Sequence, residues 1–489
     1  MNILFVTARL AYKNFMKKCS SYDILELPVE VASLIPKKLL KEHLSKIKKY
    51  AAVIVPGGVT YDLSSLEREL NIPIRKGPID FRDLDYVLSH LSIDELSPKV
   101  SADEVISIKK QKNARSLLKS AEETPLTEGI EIRSLKIGTN YPMRVMAEIS
   151  SAEKYKTADL YSRIDYFRES GADIIDLGFS LEAEHKRALS IIDDVRNYYS
   201  GVLCIDTNSE QLLLEAEDHG ADMLMSLNRS NYTISESLSL PSVVTPADAN
   251  GDIPKDPKTR VDILLDLIDK IHTKAIADPI LHPPLYNLVD SLVAYRLFRD
   301  KDKKTPLFLG VGNVTELIDA DSIGINAIFS ALGQELNVNI LFTPEESRKC
   351  YQCVSELSKA SKMMFVAKNT LPKDLGIDLL YMKEKRAKTM SKTYAKNVVA
   401  VSDVVDPTIS KNMYFKLFID GSLLCATFYE NDVPKITLTS FDPKKIYKKA
   451  IELRLIDGLS HAAYLGAELQ KAYIAIKTHR SYIQEEDLF

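Results

Sequence analysis

The chain alternates between short apolar runs and longer stretches whose apolar residues recur every three or four positions. Runs at 2–7 and 51–55 come first. The second ends in Pro56-Gly57-Gly58 and leads into a polar helical stretch at 64–70. Strand, glycine turn and helix in that order predict an α/β unit. Residues 101–128 are rich in Lys, Ser and Glu, show little apolar periodicity beyond one short helix, and read as a connector. From residue 141 the alternation becomes regular, with runs at 143–149, 173–177, 202–205, 222–227, 242–245, 275–277, 307–311 and 338–342. Each is short and apolar throughout, as expected of parallel strands covered on both faces. Between them, Leu160, Ile164 and Phe167 share one helical face that Gly171 terminates, and Leu264, Leu267, Ile268 and Ile271 make a second stripe. Thr343-Pro344-Glu345-Glu346 has the form of a capping box and predicts a helix directly after the eighth run. Eight such units in about 220 residues predict a (β/α)8 barrel, with an open doubly wound sheet as the competing architecture.

Beyond the barrel pattern, strand-like runs stand at 397–402, 413–419 and 423–428, the last two flanking the hairpin signal Asp420-Gly421. A long Ala-rich helix is predicted at 459–477. The expected division is an N-terminal α/β domain with its connector at 1–125, the barrel at 126–385 and an α+β domain at 386–489.

Length agrees with that division, since 489 residues leave room for about three domains. With 64 Lys+Arg against 68 Asp+Glu, the chain lacks the basic excess of a nucleic-acid-binding surface. No apolar run approaches the roughly 18 residues of a membrane span, and the N-terminus lacks the pattern of a secretory signal. A cytoplasmic protein is expected. Five cysteines do not make a disulfide framework. Cys350 and Cys353 have redox-motif spacing, fall inside the helix predicted after strand eight, and read as a buried apolar pair. The eight histidines show no HxH or HxxxH pairing, so no zinc site is expected. Pro56-Gly57-Gly58 lacks the remainder of a phosphate-binding fingerprint and reads as a tight turn.

In a (β/α)8 barrel the reactive groups stand at the C-terminal ends of the strands. Here those ends carry Glu148 and Ser150, Asp176, Asp206, Ser226 and Asn228, Asp278, and the Gly310–Thr315 loop with Asn313. Carboxylates and amides dominate. Such a mouth suits a neutral ligand rich in N–H groups, because one carboxylate accepts two parallel N–H bonds.

The runs GADIIDLG (171–178), CIDT (204–207), GADMLMSLN (220–228), IADP (276–279) and LGVGN (309–313), in this order, resemble the pterin-binding barrel family. That family includes dihydropteroate synthase and methyltetrahydrofolate-dependent methyltransferases. The three-region layout is similar to an archaeal group described as dihydropteroate synthase-related. The resemblance implies that Asp206 and Asp278 contact the pterin ring, with Asp176, Ser226 or Asn228, and Asn313 completing its seat. It implies Asp206, Asp278 and Asn313 as the catalytic set, pterin and arylamine as substrates, Mg²⁺ as a helper, and a homodimer. No metal ligands are assigned. The sequence departs from the synthase pattern where pyrophosphate would sit. It has Ser150 in place of an Asn after strand one, and no Lys after strand seven. The nearest cations after strand eight are Arg348 and Lys349. Ser150, Arg187 and Lys368 remain as phosphate candidates. The expected activity is condensation of a dihydropterin methyl pyrophosphate with an arylamine. The alternatives are a methyl-tetrahydropterin methyltransferase and a non-catalytic pterin-binding protein.

Overall fold

The computed structural model describes residues 2–18, 22–47, 50–368, 370–380, 412–478, 480–486 and 488. The chain forms two compact units, Met1–Leu379 and Leu380–Phe489. The strand run expected at 397–402 lies outside the described residues.

The first unit opens with strands β1 (Ile3–Ala8), β2 (Asp23–Leu27), β3 (Ala52–Val55) and β4 (Ile74–Lys76), a parallel sheet in the order β2-β1-β3-β4. Alternation along β1 sends Leu4 and Val6 to one face and Phe5 to the other, and each face has its own apolar cluster. The turn at Pro56-Gly57-Gly58 is structural. Gly57 N–H donates to the Pro78 carbonyl at 2.9 Å, and a Cβ on Gly57 would lie 2.3 Å from the Gly77 oxygen.

Residues 101–128 depart from the connector expected of them, since a 22-residue helix runs Ala102–Glu123. Its buried stripe is Ala102, Ile106, Ala114 and Ala121, and mostly methyl groups make a weak apolar signal in sequence. Ser101 caps it by accepting from Glu104 N–H. Near its C-terminal end, Glu122 takes a bidentate contact from Arg144 at 2.7 and 2.9 Å.

A hairpin of β5 (Ile130–Ile132) and β6 (Leu135–Ile137) precedes eight parallel strands: β7 (Arg144–Ile149), β8 (Ile174–Phe179), β9 (Val202–Thr207), β10 (Met223–Leu227), β11 (Ser242–Val244), β12 (Ala275–Ala277), β13 (Phe308–Gly310) and β14 (Ile340–Thr343). Their order is β12-β11-β10-β9-β8-β7-β14-β13. A parallel bridge between Ala277 and Leu307 links the two ends, so the sheet closes into the expected barrel. Inward-facing Met146, Ile174, Val202, Met223, Val243, Ile276, Phe308 and Ile340 fill the lumen. The hairpin contributes Ile130, Ile132 and Ile137 to the same cluster, covering the N-terminal end. The helix Thr157–Ser170 ends at Gly171 with φ +96°, as its stripe predicts.

After β14 the helix does not begin at Pro344. Glu345 has φ +48°, Arg348–Cys350 forms one 3₁₀ turn, and the helix runs Cys353–Val366. Glu345 nevertheless caps it from a distance. Its Oε1 accepts from Val354 N–H at 2.6 Å and its Oε2 from Tyr166 O–H at 3.0 Å. Cys350 therefore precedes the helix and Cys353 opens it, so neither lies in its interior. Both are fully buried.

The second unit contains the antiparallel sheet β15 (Met413–Asp420), β16 (Leu423–Glu430) and β17 (Val433–Ser440), with helices Pro443–Glu452 and Leu459–Thr478. Phe415, Leu417, Leu424 and Phe428 pack on Ile446, Leu465 and Leu469. No residue of β17 is buried; only Leu438 packs partly against the cluster, and pairing with β16 carries the rest of the strand.

Candidate functional site

Strand periodicity builds the site. Two residues beyond the apolar layer, the inward positions turn acidic: Met146 is followed by Glu148, Ile174 by Asp176, Cys204 by Asp206 and Ile276 by Asp278. Register pairs Glu148 with Asp176 and Asp176 with Cys204, and places Gly178 opposite Asp206. Gly178 leaves its inward position open. A Cβ there would lie 2.6 Å from Glu148 Oε1, so the Glu148 carboxylate occupies the space that a side chain on β8 would take. As a result one oxygen each from Glu148, Asp176 and Asp206 lies within 4.8 Å of the others.

These three carboxylates lack compensation. None takes part in an ion pair among the described residues. Asp176 is fully buried, and neither of its oxygens has a hydrogen-bond partner of good geometry. The Cys204 thiol beside it is only a weak donor. Burial, then the charges of Asp206 and Glu148, hold the Asp176 carboxyl well above the usual range. Asp206 is pushed up to about 7 by burial and then by Glu148. Glu148 is raised by burial, with Glu346 adding to it and Ser150 opposing it. The three do not all ionise together.

Asp278 is a separate centre. It is buried at the end of β12, and its Oδ1 accepts from Tyr295 O–H and Ile280 N–H, both at 2.8 Å. Among the described residues no group donates to Oδ2. Burial raises it to about 6, against the opposing effects of those two bonds and of Arg260. Arg260 is itself fully buried. It donates from Nε to the Pro254 carbonyl at 2.9 Å, and from Nη1 to those of Pro279 and Ile280 at 3.3 and 3.0 Å. Nη2 lies 3.2 Å from His282 Nε2. A guanidinium only donates, so His282 Nε2 accepts, and its Nδ1 carries the hydrogen toward the Tyr286 carbonyl at 3.0 Å. His282 is thus a packed loop residue. Arg260 clamps the loops after β11 and β12 and holds positive charge near Asp278.

The other expected residues are distributed unevenly. Asn313 stands exposed in the short turn Gly312–Thr315 and donates to the Leu281 carbonyl at 2.9 Å, which joins the β13 end to the Asp278 loop. Asn228 uses its Oδ1 on Ser230 N–H and O–H, so its Nδ2 is what remains for a ligand. Asn231 accepts from Asn228 N–H at 2.7 Å and donates to the Ser226 carbonyl at 3.2 Å, which sets the loop. Ser150 follows β7 beside Glu148. Arg187 is on the rim, 3.3 Å from the Tyr155 carbonyl. Lys368 is not brought to the mouth. It follows the helix Cys353–Val366 and contacts the Thr139 carbonyl at 3.4 Å, ahead of β7 and toward the opposite end of the barrel.

Comparison with known proteins adds to this geometry. The model PterinBD-DUF4346 matches residues 411–485, and a family of unknown function, DUF6513, matches residues 1–79. An uncharacterized protein of Methanocaldococcus jannaschii is 35% identical over 521 residues, spanning 100% of this chain and 99% of that one. The chain belongs to the archaeal dihydropteroate synthase-related family. Among solved structures it is similar to dihydropteroate synthase of Yersinia pestis, one structure of which holds a pterine–sulfa conjugate. That match has 14% identity and a TM-score of 0.40, covering 49% of this chain and 99% of the other. The corresponding protein of Vibrio fischeri gives 15% identity and a TM-score of 0.37, covering 48% and 96%. No helix among the described residues is long and apolar enough to cross a membrane.

Within this family member, sequence reasoning missed Arg260 and Tyr295 as partners of Asp278, and Arg229. Arg229 pairs with Asp248 at 3.2 Å and follows β10 directly. Arg229 could have been found from its place after a strand. Tyr295 lies about two turns inside the helix Leu288–Lys301 and left no such signal.

Proposed function

We propose that this protein is a dihydropteroate synthase-like transferase of pterin cofactor biosynthesis. It would condense a dihydropterin methyl pyrophosphate with an arylamine and release pyrophosphate. The observation that carries the reading is Asp278: a buried carboxylate with one oxygen satisfied by protein donors and the other left for a ligand N–H. Asp206 and Asn228 Nδ2 supply further contacts to the ring, Ser226 lies beside them, and Asn313 lies across the same mouth. Asp176 supports them from the layer below. As the C–O bond to pyrophosphate breaks, positive charge develops on the ring methylene, and carboxylates fixed around it stabilise that charge more than they stabilise the ground state. Pyrophosphate needs cationic partners. Arg187 and Arg229 are the rim candidates, with Ser150 and Mg²⁺ assisting, whereas Lys368 is too far removed to contribute. The scheme assigns residues 1–125, 126–385 and 386–489 to three domains of a cytoplasmic protein working as a homodimer.

One observation favours a second reading, pterin binding without turnover. Two guanidiniums near the mouth are already engaged by backbone carbonyls: Arg260 as described, and Arg163 by those of Pro344 and Glu345. A single assay separates the two readings. The protein is incubated with the dihydropterin pyrophosphate, Mg²⁺ and a panel of arylamines, and pyrophosphate release is followed. Release that depends on an amine supports the transferase. Absence of release with every amine, alongside calorimetric binding of the pterin, overturns it in favour of the binding protein.

A further inference from the structure

We propose that Glu148, Asp176 and Asp206 form a binding site for one hard divalent cation on the floor of the barrel mouth. The proposal needs no pterin and stands or falls apart from the pterin reading. Three observations converge on it. The first is proximity, with ligand oxygens from three adjacent strands within 4.8 Å of one another. An equilateral triangle of that side has its centre roughly 2.8 Å from each corner. Calcium–oxygen bonds are about 2.3–2.6 Å and magnesium–oxygen bonds about 2.0–2.1 Å. A contraction of a few tenths of an ångström would bring all three oxygens onto calcium, and one of about 0.7 Å onto magnesium.

The second is the state of Asp176. It is 0% exposed, and both of its oxygens lack a partner of good geometry. Buried carboxylates are ordinarily paired with a donor or a cation, because an unpaired one is costly to desolvate. Among the described residues no guanidinium or ammonium pairs with it: Arg229 pairs with Asp248, and Arg260 is spent on the β11 and β12 loops. The third is Gly178, whose missing side chain lets Glu148 lean toward Asp206. A larger residue at 178 would separate the very groups that the register brings together.

The donor chemistry selects the ion. Three carboxylates without imidazole favour magnesium, manganese or calcium over zinc or copper. Three protein oxygens leave part of the coordination shell open, and the open side faces the mouth. A ligand oxygen entering there would meet a Lewis acid.

The test uses the full chain, stripped with a chelator and titrated with Mn²⁺ in the absence of pterin. Free ion is read by electron paramagnetic resonance and heat by calorimetry, and Mg²⁺ and Ca²⁺ serve as competitors. The expected result is one saturable site per chain that excess Mg²⁺ or Ca²⁺ empties. Glu148→Gln and Asp176→Asn should each weaken it at least as much as the loss of an outer-shell partner does, about 10–100-fold. Glu148 is only half-buried, so its variant tests the site even if Asp176→Asn fails to fold. Gly178→Ala should weaken binding while leaving all three carboxylates in the sequence. No saturable binding, or binding that Glu148→Gln and Gly178→Ala leave unchanged, overturns the proposal. Pterin titrated separately in chelator reports on the pterin reading alone.

Discussion

Replacing Asp278 by Asn should make the protein bind pterin less well and, at alkaline pH, fold more stably. Both effects come from the same carboxylate. Asp278 is 8% exposed, and its rise from 3.8 to about 6 corresponds to about 3 kcal/mol in favour of the neutral form. The folded state therefore binds more protons than the unfolded chain between those two values. Stability from this group is full below the unfolded value, declines as pH rises through 6, and is gone at pH 8. Between pH 5 and pH 8 the difference is about 1.4 kcal/mol. Asn keeps an acceptor for Tyr295 O–H and Ile280 N–H but cannot ionise, so the variant escapes this decline. Urea titrations of both proteins at pH 5 and pH 8 should show the variant gaining about 1–1.5 kcal/mol relative to wild type on going to the higher pH. Toward a ligand, the same change replaces a carboxylate oxygen by an N–H that faces another N–H. Calorimetry with a hydroxymethyl dihydropterin at pH 8 should find binding weaker by about 2–3 kcal/mol, roughly 30–150-fold. Unaltered affinity would refute the placing of Asp278 against the ring. A relative stability that does not move with pH would refute the electrostatic account of its burial.

Three further outcomes are expected. Tyr295→Phe removes a donor that favours the charged form of Asp278, so the pH midpoint of pterin binding should move upward by about one pH unit; a pH series of binding isotherms with an unmoved midpoint would contradict this. Arg260→Lys keeps the charge but loses the fork that joins four loop acceptors, and should cost roughly 2–4 kcal/mol in denaturant unfolding, whereas a loss below about 1 kcal/mol would mean the clamp is dispensable. Glu345→Ala leaves Val354 N–H at the helix start and the Tyr166 hydroxyl without their acceptor, and should lower stability by about 1–2 kcal/mol; an unchanged unfolding midpoint would show that the cap contributes nothing.

The sequence by itself determined the barrel and where its reactive layer lies. Parallel strands buried on both faces need continuous apolar runs, and eight such runs stand close to the eight observed strands. The inward parity of Glu148, Asp176, Asp206 and Asp278 is equally local, because side chains alternate along a strand whatever its neighbours are. What parity cannot give is which residue meets which across strands. Register set Gly178 opposite Asp206 and so let Glu148 reach over it, and closure of the sheet decided which loops share the mouth. Tyr295 and Arg260 reach Asp278 from two different helices, a meeting with no spacing to betray it. The same dependence explains the misplaced helix start: Pro344 and Glu345 look like a cap in one dimension, but Glu345 bonds Val354 nine residues on, across a turn that only the packing of Tyr166 and the β14 loop fixes. Lys368 likewise looks close to the site along the chain and lies toward the far end of the barrel, since the helix after β14 carries the chain back past the strands.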